Sequence, residues 1–379
     1  MLIWHVLTPA PSAMKNSIRI LLVVAFIAGA TWLAAQVATT AAKKSGLEER
    51  LAQALKLYPD ADVDKNGTLT VNEALKYLEA HPELKALLAT QSKKGGPNTS
   101  KPGEFTTPAT SGLPPGPRVF VCAHSFMIFT ATMLPKMAEA AGIGYQDAGR
   151  QMIGGSRTIQ HWEVPDDKNL AKRVLRESSV DVLTLSPHML LPDEGIGHFT
   201  KLGLENNPKL RVLVQASWPA RDGNLTGEFR NSMRNDATVE SLRKMREMQR
   251  EQWNTKLEAQ VTALNTDAGN EAVFIVPVGD AVFALRERII EGKAPGITKQ
   301  ADLFKDDLGH PMPPMSVLVT YCHFAAIYQR SPVGLPVPAA LKDAPQAAEL
   351  NALLQELAWE AVTRYPMSGV KAEAGKPSA

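Results

Sequence analysis

The stretch Val119-Phe120-Val121-Cys122-Ala123-His124-Ser125-Phe126 indicates the fold class of this chain. Its first four residues are apolar, and a short uninterrupted apolar run is typical of a strand buried on both faces of a sheet. The run ends at two polar residues, and a helical pattern follows over residues 127–141. A buried strand that leads directly into a helix indicates an α/β protein.

The same alternation continues along the chain. The apolar runs predict four buried strands, at residues 119–122, 180–185, 211–215 and 272–277. The helical spacing predicts helices at residues 127–141, 169–177, 238–264, 280–291, 315–328 and 345–365. Pro345 suits the first position of its helix, where no backbone donor is needed. Strands that alternate with helices predict a parallel sheet covered by helices on both faces.

Two polar features follow predicted strands, where ligands bind in parallel α/β sheets. Ser125 comes directly after the first strand, and a serine at such a turn exposes its hydroxyl and its backbone amide, as an acyl-transfer nucleophile requires. The other interpretation of this serine is a helix cap. The run Gly154-Gly155-Ser156 could offer a backbone amide to an oxyanion.

A third feature, Asp307-Leu308-Gly309-His310, lies late in the chain before a predicted helix. A carboxylate three residues before a histidine can share its turn, so Asp307 would orient the imidazole of His310. That imidazole would then accept the proton of Ser125. The order Ser…Asp…His, with Asp and His close in sequence, differs from the ordinary α/β-hydrolase arrangement.

The chain resembles the SGNH/GDSL hydrolase superfamily from about residue 118 to residue 336, in particular its exported, uncharacterised bacterial branch. Residues 119–126 are similar to the first family block, and Asp307-Leu-Gly-His310 is similar to the last block, DxxH. Gly155, with Gly154 as the alternate, is similar to the glycine of the second block. His188 lies where the third block places an oxyanion asparagine.

The resemblance implies a three-layer α/β/α sandwich with a parallel sheet, SGNH- or flavodoxin-like, and a serine esterase mechanism without a catalytic cofactor. Ser125, His310 and Asp307 would be nucleophile, base and orienter. The amides of Ser125 and Gly155, with His188 as a substitute donor, would form the oxyanion hole. The chain departs from the family pattern at Ala123, His124 and His188.

A second motif lies near the N-terminus, in the stretch Asp62-Val-Asp64-Lys-Asn66-Gly67-Thr68-Leu-Thr70-Val-Asn-Glu73. Its oxygen-bearing residues occupy the ligand positions of a twelve-residue EF-hand calcium loop, and a glycine stands at the sixth position, where the chain must turn sharply. Calcium prefers six to eight oxygen ligands, and this spacing wraps them around one point. The ligands would be Asp62, Asp64, Asn66, Thr68, Thr70 and Glu73.

The domain organisation follows from these segments. Residues 47–88 are expected to form a small all-α EF-hand unit, and residues 92–117, rich in Lys, Gly, Pro, Thr and Ser, a flexible linker. The SGNH-like domain would span residues 118–340. Residues 341–379 would form a C-terminal helix and a disordered tail that begins at residue 367.

The first 42 residues read as an export segment. Lys15 and Arg19 precede an apolar run at residues 20–35, and Met14 is a candidate true start. A cleaved signal peptide and a retained membrane anchor both remain open, because the run is about the minimum length of a span. Either interpretation predicts a periplasmic or extracellular location. The net charge of +2 gives no reason to expect nucleic-acid binding.

Four other features have two interpretations each. Cys122 and Cys322 could pair in an exported protein, but their apolar contexts favour two separate buried thiols. His161-Trp-Glu163 suggests either a metal pair or, as we expect, a surface loop. Trp218 would line the pocket or pack in the core, and His124 would touch substrate or cap a helix.

The sequence therefore predicts an exported, calcium-binding serine esterase that acts on a small-molecule or carbohydrate ester. An O-acetyl group on carbohydrate rests on family analogy alone. The alternative is a catalytically degenerate calcium-binding protein that binds a surface or a partner. The sequence does not indicate an oligomeric state.

Overall fold

The computed structural model describes residues 55, 59–70, 73, 77, 98–100, 112–188, 190–224 and 228–371. The chain divides into two compact units, Met1–Gly96 and Pro97–Ala379. The predicted export segment, residues 1–42, lies outside the described residues. Within them, no helix is both long and apolar enough to cross a membrane.

A six-stranded sheet organises the second unit. Its strands are β1 (Asn98–Ser100), β2 (Pro115–Ala123), β3 (Gly144–Met152), β4 (Val182–Leu185), β5 (Arg211–Gln215) and β6 (Val273–Val276). They lie in the order β1-β3-β2-β4-β5-β6. The short β1 is antiparallel to β3, and every other neighbouring pair is parallel. The five parallel strands thus have the doubly wound order of flavodoxin-like folds.

The α-helices of this unit lie between and after the strands. They are α1 (Thr130–Ala140), α2 (Thr158–Trp162), α3 (Leu170–Arg176), α4 (Glu194–Asn206), α5 (Val239–Gln249), α6 (Thr255–Ala268), α7 (Val278–Ile290), α8 (Pro313–Tyr328) and α9 (Ala347–Arg364). A π-helical turn, Arg250–Asn254, joins α5 to α6. Two prolines begin α8, where their missing amide protons cost nothing.

Alternate residues of β2 enter two separate hydrophobic cores. Val119 and Val121 pack with apolar residues of α1, α7, α8 and α9. Phe120 and Cys122 pack with apolar residues of α3, α4 and α6 on the opposite face. This alternation follows from the two-residue period of a strand. The predicted α/β class, with a parallel sheet between two helical layers, is confirmed.

The direction of chain winding reverses next to β2. The chain leaves β2 toward β3 on one side, and the next strand, β4, pairs with the other side of β2. In such sheets a crevice opens beyond the carboxyl ends of the strands at this switch point. The segments that follow β2, β3 and β4 therefore meet at one edge of the sheet.

The structure corrects several predicted boundaries. β3 was not predicted, because its sequence GYQDAGRQM is mostly polar and contains two glycines. β1 and the start of β2 fall inside the predicted linker, residues 92–117. Pro345 precedes the N-cap of α9, which begins at Ala347. The predicted disordered tail is ordered to Lys371, since the carbonyl of Met367 accepts the amide of Ile275 at 2.8 Å.

Both cysteines are buried free thiols. Cys122 belongs to the core on one face of the sheet and Cys322 to the core on the other. Burial raises the pKa of each thiol well above its usual range. The separate-thiol interpretation therefore agrees with the structure.

The close packing of α4 on α2 allows a matched stability test. A Cβ at Gly195 would overlap the backbone of Thr158 and Ile159, whereas a Cβ at Gly197 would meet only the flexible Leu264 side chain, at 3.3 Å. Both alanines gain up to about 1 kcal/mol of helix propensity. We expect Gly195→Ala to lower the free energy of unfolding in urea by about 2 kcal/mol or more.

The control, Gly197→Ala, is expected to be neutral or stabilising by up to about 1 kcal/mol. Equal free energies of unfolding in the two variants would contradict the described contact between the two helices.

Candidate active site

Three loops that follow neighbouring strands converge at the switch point. Ser125 follows β2, Gly155 follows β3, and His188 follows β4. All three line one cavity of about 60 Å³. The structure thus brings the predicted nucleophile, Ser125, close to the other two predicted oxyanion residues, Gly155 and His188.

A hydrogen-bonded chain links Ser125 to a carboxylate through His310. The Ser125 Oγ lies 2.9 Å from the His310 Nε2, and the His310 Nδ1 lies 2.6 Å from an oxygen of Asp306. An ionised carboxylate only accepts hydrogen bonds, so Nδ1 carries the proton and Nε2 is free to accept from the serine hydroxyl. This is the arrangement in which a serine is activated by a base that a third group orients.

The carboxylate in this chain is Asp306, and the prediction of Asp307 is wrong. The Asp307 carboxylate faces another segment, where it accepts the backbone amide of Asn231 at 2.7 Å. The loop turns tightly between residue 306 and Gly309, whose φ is +106°. That turn brings the residue four positions before His310, rather than three, against the imidazole.

Asp306 also accepts hydrogen bonds from the backbone of its own loop. One carboxylate oxygen accepts the Gly309 amide at 3.0 Å and the His310 amide at 3.2 Å. Partial burial raises the pKa of Asp306, but the hydrogen bonds from His310 and Gly309 outweigh it, so the pKa lies below its usual value. The carboxylate is therefore ionised at neutral pH, as an orienting group must be.

Ser125 and Gly155 line the cavity, and in the described part of the chain neither backbone amide donates to a protein acceptor. Gly155 has a φ of +61°, a conformation that favours glycine. Gly154, the alternate, does not line the cavity. The geometry thus favours Gly155 as the predicted donor from this loop.

His188 carries a ring nitrogen, Nδ1, that is buried and has no hydrogen-bond partner. Burial and the nearby Arg157 lower the pKa of His188, against the opposing effect of Asp193. The imidazole is neutral at pH 7, so one of its nitrogens is a donor and the other an acceptor. A neutral imidazole beside the cavity can donate to an oxyanion, as the sequence predicted.

His124, which precedes the nucleophile, holds the turn at the end of β2. Its Nδ1 accepts the Phe126 amide at 3.2 Å, and its Nε2 lies 2.9 Å from the Ser186 hydroxyl. Burial, and then the neighbouring His188, lower the pKa of His124 to about 4. His124 thus stabilises a turn and does not cap the helix, since the N-cap of α1 is Phe129. The His124 ring also lines the cavity.

The rest of the cavity wall is mostly apolar. Aromatic rings come from Phe126, Trp218 and Trp253, and Trp253 belongs to the π-helical turn, a feature common at functional sites. The Phe126 and Trp218 rings stack at 4.7 Å, and the Phe126 ring meets His310 edge-on at 5.3 Å. Trp218 therefore both lines the pocket and packs in the core.

A second Ser–His pair lies behind the Gly155 turn and was not predicted. The His161 Nε2 lies 2.8 Å from the Ser156 hydroxyl, which donates to the Ile153 carbonyl at 3.0 Å. Gln151 lies 3.3 Å from the His161 Nδ1. All but Ile153 are buried, so the expectation that His161 lies in a surface loop is wrong. This network supports the turn that carries Gly155.

The first unit contains the predicted calcium loop. Among the described residues, the cluster able to hold a metal ion is that of Asp62, Asp64 and Glu73, whose ligand oxygens lie within 4.8 Å of one another. Oxygens bound at 2.3–2.6 Å to one calcium ion can be at most about 5 Å apart, so the three carboxylates fit. Gly67 has the positive φ, +79°, that the turn requires.

Hydrogen bonds preorganise this loop. Asp62 accepts the amide of Gly67 at 2.8 Å, and Asn66 accepts that of Thr68 at 2.8 Å. The Thr70 hydroxyl and amide donate to Glu73, and these bonds lower its pKa. The donor set is hard oxygen, as calcium prefers.

Comparisons with known proteins do not assign this chain to a family. No protein-family model matches the chain, and no curated protein matches it. Among solved structures, a DUF4886 family protein from Bacteroides uniformis is similar over 68% of this chain and 97% of that chain, at 16% identity and a TM-score of 0.44. Because this TM-score is low, we draw no conclusion about fold or function from the similarity.

The neutral buried histidines make the protein sensitive to acid. Burial lowers the pKa of His161 and of His323 to about 3, and that of His124 to about 4. An unfolded histidine titrates near 6.5, so below that pH the unfolded chain binds more protons. We expect the free energy of unfolding to fall as pH drops from 6.5 toward 4, by up to about 1.4 kcal/mol per unit for each histidine.

Urea unfolding at several pH values measures this slope, and His161→Gln separates it from carboxylate titration. The variant should lose stability less steeply between pH 6.5 and 4, because one of the neutral buried imidazoles is gone. The same slope in variant and wild type would refute the assignment of His161 as a neutral buried group.

Proposed function

We propose that this protein is an SGNH-like serine ester hydrolase. The observation that carries the proposal is the chain Ser125–His310–Asp306, with contacts of 2.9 and 2.6 Å, at the switch point of a doubly wound sheet. The resemblance of residues 119–126 to the first block of that superfamily, and of His310 to the histidine of its last block, supports the same conclusion, with Asp306 as the carboxylate in place of Asp307.

The reaction divides among the residues of this site. His310 accepts the proton of the Ser125 hydroxyl at Nε2 as Oγ attacks the ester carbonyl, and Asp306 stabilises the imidazolium. The amides of Ser125 and Gly155, with His188, donate to the oxyanion. His310 then protonates the leaving alcohol. Water, deprotonated by the same imidazole, finally releases the acid from the serine.

The shape of the cavity supports a small acyl group. A cavity of about 60 Å³, mostly lined by apolar side chains, is large enough for an acetyl group. The resemblance suggests that this acetyl is an O-acetyl group on a carbohydrate, which is the substrate class we propose.

We also propose that residues 62–73 bind a structural calcium ion, and that the protein is exported to the periplasm or beyond, by a signal peptide or an N-terminal anchor. The carboxylate cluster, the glycine turn and the hydrogen-bonded loop support calcium binding. The loop lies in the first unit and the proposed catalytic residues lie in the second. Calcium is thus assigned no step in the ester hydrolysis.

The rival proposal, a binding protein without catalysis, rests on the departures from the family pattern. His124 replaces the family's Asp or Asn, and the oxyanion asparagine is absent. The loss of one oxyanion donor costs about 3 kcal/mol in the barrier, which slows the reaction without abolishing it. Hydrolysis by the wild type, compared with its nucleophile variant, decides between the two proposals.

The two neighbouring aspartates allow a sharp test with p-nitrophenyl acetate and the full chain. Ser125→Ala and His310→Ala should abolish hydrolysis. Asp306→Asn should lower kcat by about 10³–10⁴-fold, because it removes the charge that stabilises the imidazolium. Its matched control, Asp307→Asn, should change kcat by less than about threefold, since that carboxylate contacts Asn231 instead.

A wild type no faster than Ser125→Ala would overturn the esterase proposal and favour the binding protein. A larger loss in Asp307→Asn than in Asp306→Asn would instead return the orienting role to Asp307.

Calcium binding is tested by titration calorimetry of the full chain. Glu73→Gln should raise the Kd by about tenfold or more, because it removes the bidentate charged ligand at the last loop position. Asp60→Asn, an exposed carboxylate outside the loop, should leave the Kd unchanged. No heat from the wild type, or equal Kd values in wild type and Glu73→Gln, would contradict the proposed site.

A further inference from the structure

Arg234 is the most unusual charged residue near the candidate active site. Its side chain is fully buried, in the short 3-10 segment Asn231–Asp236. Charged side chains are almost never fully buried unless they are paired, because leaving water is costly. The contacts of Arg234 therefore indicate which role its buried charge serves.

One set of contacts neutralises the charge of Arg234. Its Nε donates to one oxygen of Asp222 at 3.1 Å, and the other oxygen of Asp222 accepts Arg286 at 2.7 Å. The guanidinium also lies over the Phe304 ring, 4.1 Å from its centroid. Arg234 and Arg286 thus share the Asp222 carboxylate. Any difference between their roles must come from their other contacts.

The remaining contacts of Arg234 go to the loop that carries the proposed base and its carboxylate. Nη1 donates to the backbone carbonyl of Asp306 at 3.3 Å, and Nη2 donates to that of Asp307 at 3.1 Å. Nη1 also donates to the side chain of Asn231 at 2.7 Å. Arg286 makes no contact with this loop; its Nε donates to Gln300.

We propose that Arg234 is a positioning residue, whose planar fork aims the loop of residues 306–310 so that His310 meets Ser125. The proposal rests on the esterase function proposed above. An arginine suits this task because its donors are fixed in one plane and hold two carbonyls in a set geometry, whereas an ammonium on a flexible stem holds its partners less rigidly. The Trp218 indole adds a third tether, to the Gly309 carbonyl at 3.0 Å.

The test compares Arg234→Lys with Arg286→Lys, two buried arginines on the same carboxylate. Arg234→Lys should lower kcat for p-nitrophenyl acetate by about 10–100-fold, with KM within about twofold, because a misplaced base affects the transition state more than binding. Arg286→Lys should keep kcat within about threefold of the wild type. Urea unfolding should first show that the two variants are equally folded under the assay conditions. Equal kcat losses in the two folded variants would then overturn the proposal.

A second readout does not depend on activity. The His310 Nε2 lies 2.9 Å from the Ser125 hydroxyl, so the ¹⁵N NMR signal of that nitrogen should shift on Ser125→Ala. This shift should be lost in the Arg234→Lys background and persist in the Arg286→Lys background. An undiminished shift in the Arg234→Lys background would refute the positioning role even if the protein is an esterase.

The two readouts separate the two proposals. Absence of hydrolysis that depends on Ser125 would refute the esterase function, and the NMR signal would still decide the role of Arg234. If Arg234→Lys does not fold, Arg234→Gln and Arg286→Gln replace the pair, since glutamine keeps donors at the site and leaves Asp222 one arginine. The same outcomes then support or overturn the proposal.

Discussion

The pairing of β2 on both edges is the constraint on which the rest of the second unit depends. Hydrogen bonds to β3 on one side and β4 on the other keep the strand extended, so its side chains alternate between two cores. A shift by one residue would exchange Val121 and Cys122 between those cores. Because the register is fixed, Ser125, the second residue after the strand, lies at the edge of the sheet where the loops after β3 and β4 also begin.

The sequence predicted what depends on local pattern. Apolar runs such as residues 119–122 show a buried strand directly, because both faces of a parallel sheet exclude water. Ser125 and His310 were predicted because a polar residue at a strand end and a histidine before a helix are visible as breaks in that pattern. The predicted calcium loop is a local pattern too, because Gly67 and the residues proposed as ligands all lie within twelve consecutive positions.

What escaped prediction depends on the tertiary fold. Two polar side chains of β3 hydrogen-bond with other elements, Gln146 with the Gly116 carbonyl and the buried Gln151 with His161. Asp306 and Asp307 lie four and three residues before His310. The tight turn at Gly309 determines which of the two carboxylates reaches the imidazole. Arg234 lies more than seventy residues from the loop it contacts, so no window of sequence contains both. A buried hydrogen-bond network leaves no periodic pattern in the sequence, because each of its residues depends on the partners that it meets in the folded chain.

The loop of residues 306–310 has a mechanical consequence. Asp306 accepts from the imidazole and from two amides of the same short loop, so base and carboxylate form one self-contained body. Ser125 belongs to a different body, anchored by the central strand. The Ser125–His310–Asp306 chain therefore has a single link between the two bodies, the Ser125–His310 hydrogen bond. In the proposed esterase, a displacement of the loop as one body would separate the serine from its base while His310 keeps its contact with Asp306, so activity would be lost and regained without breaking the His310–Asp306 pair.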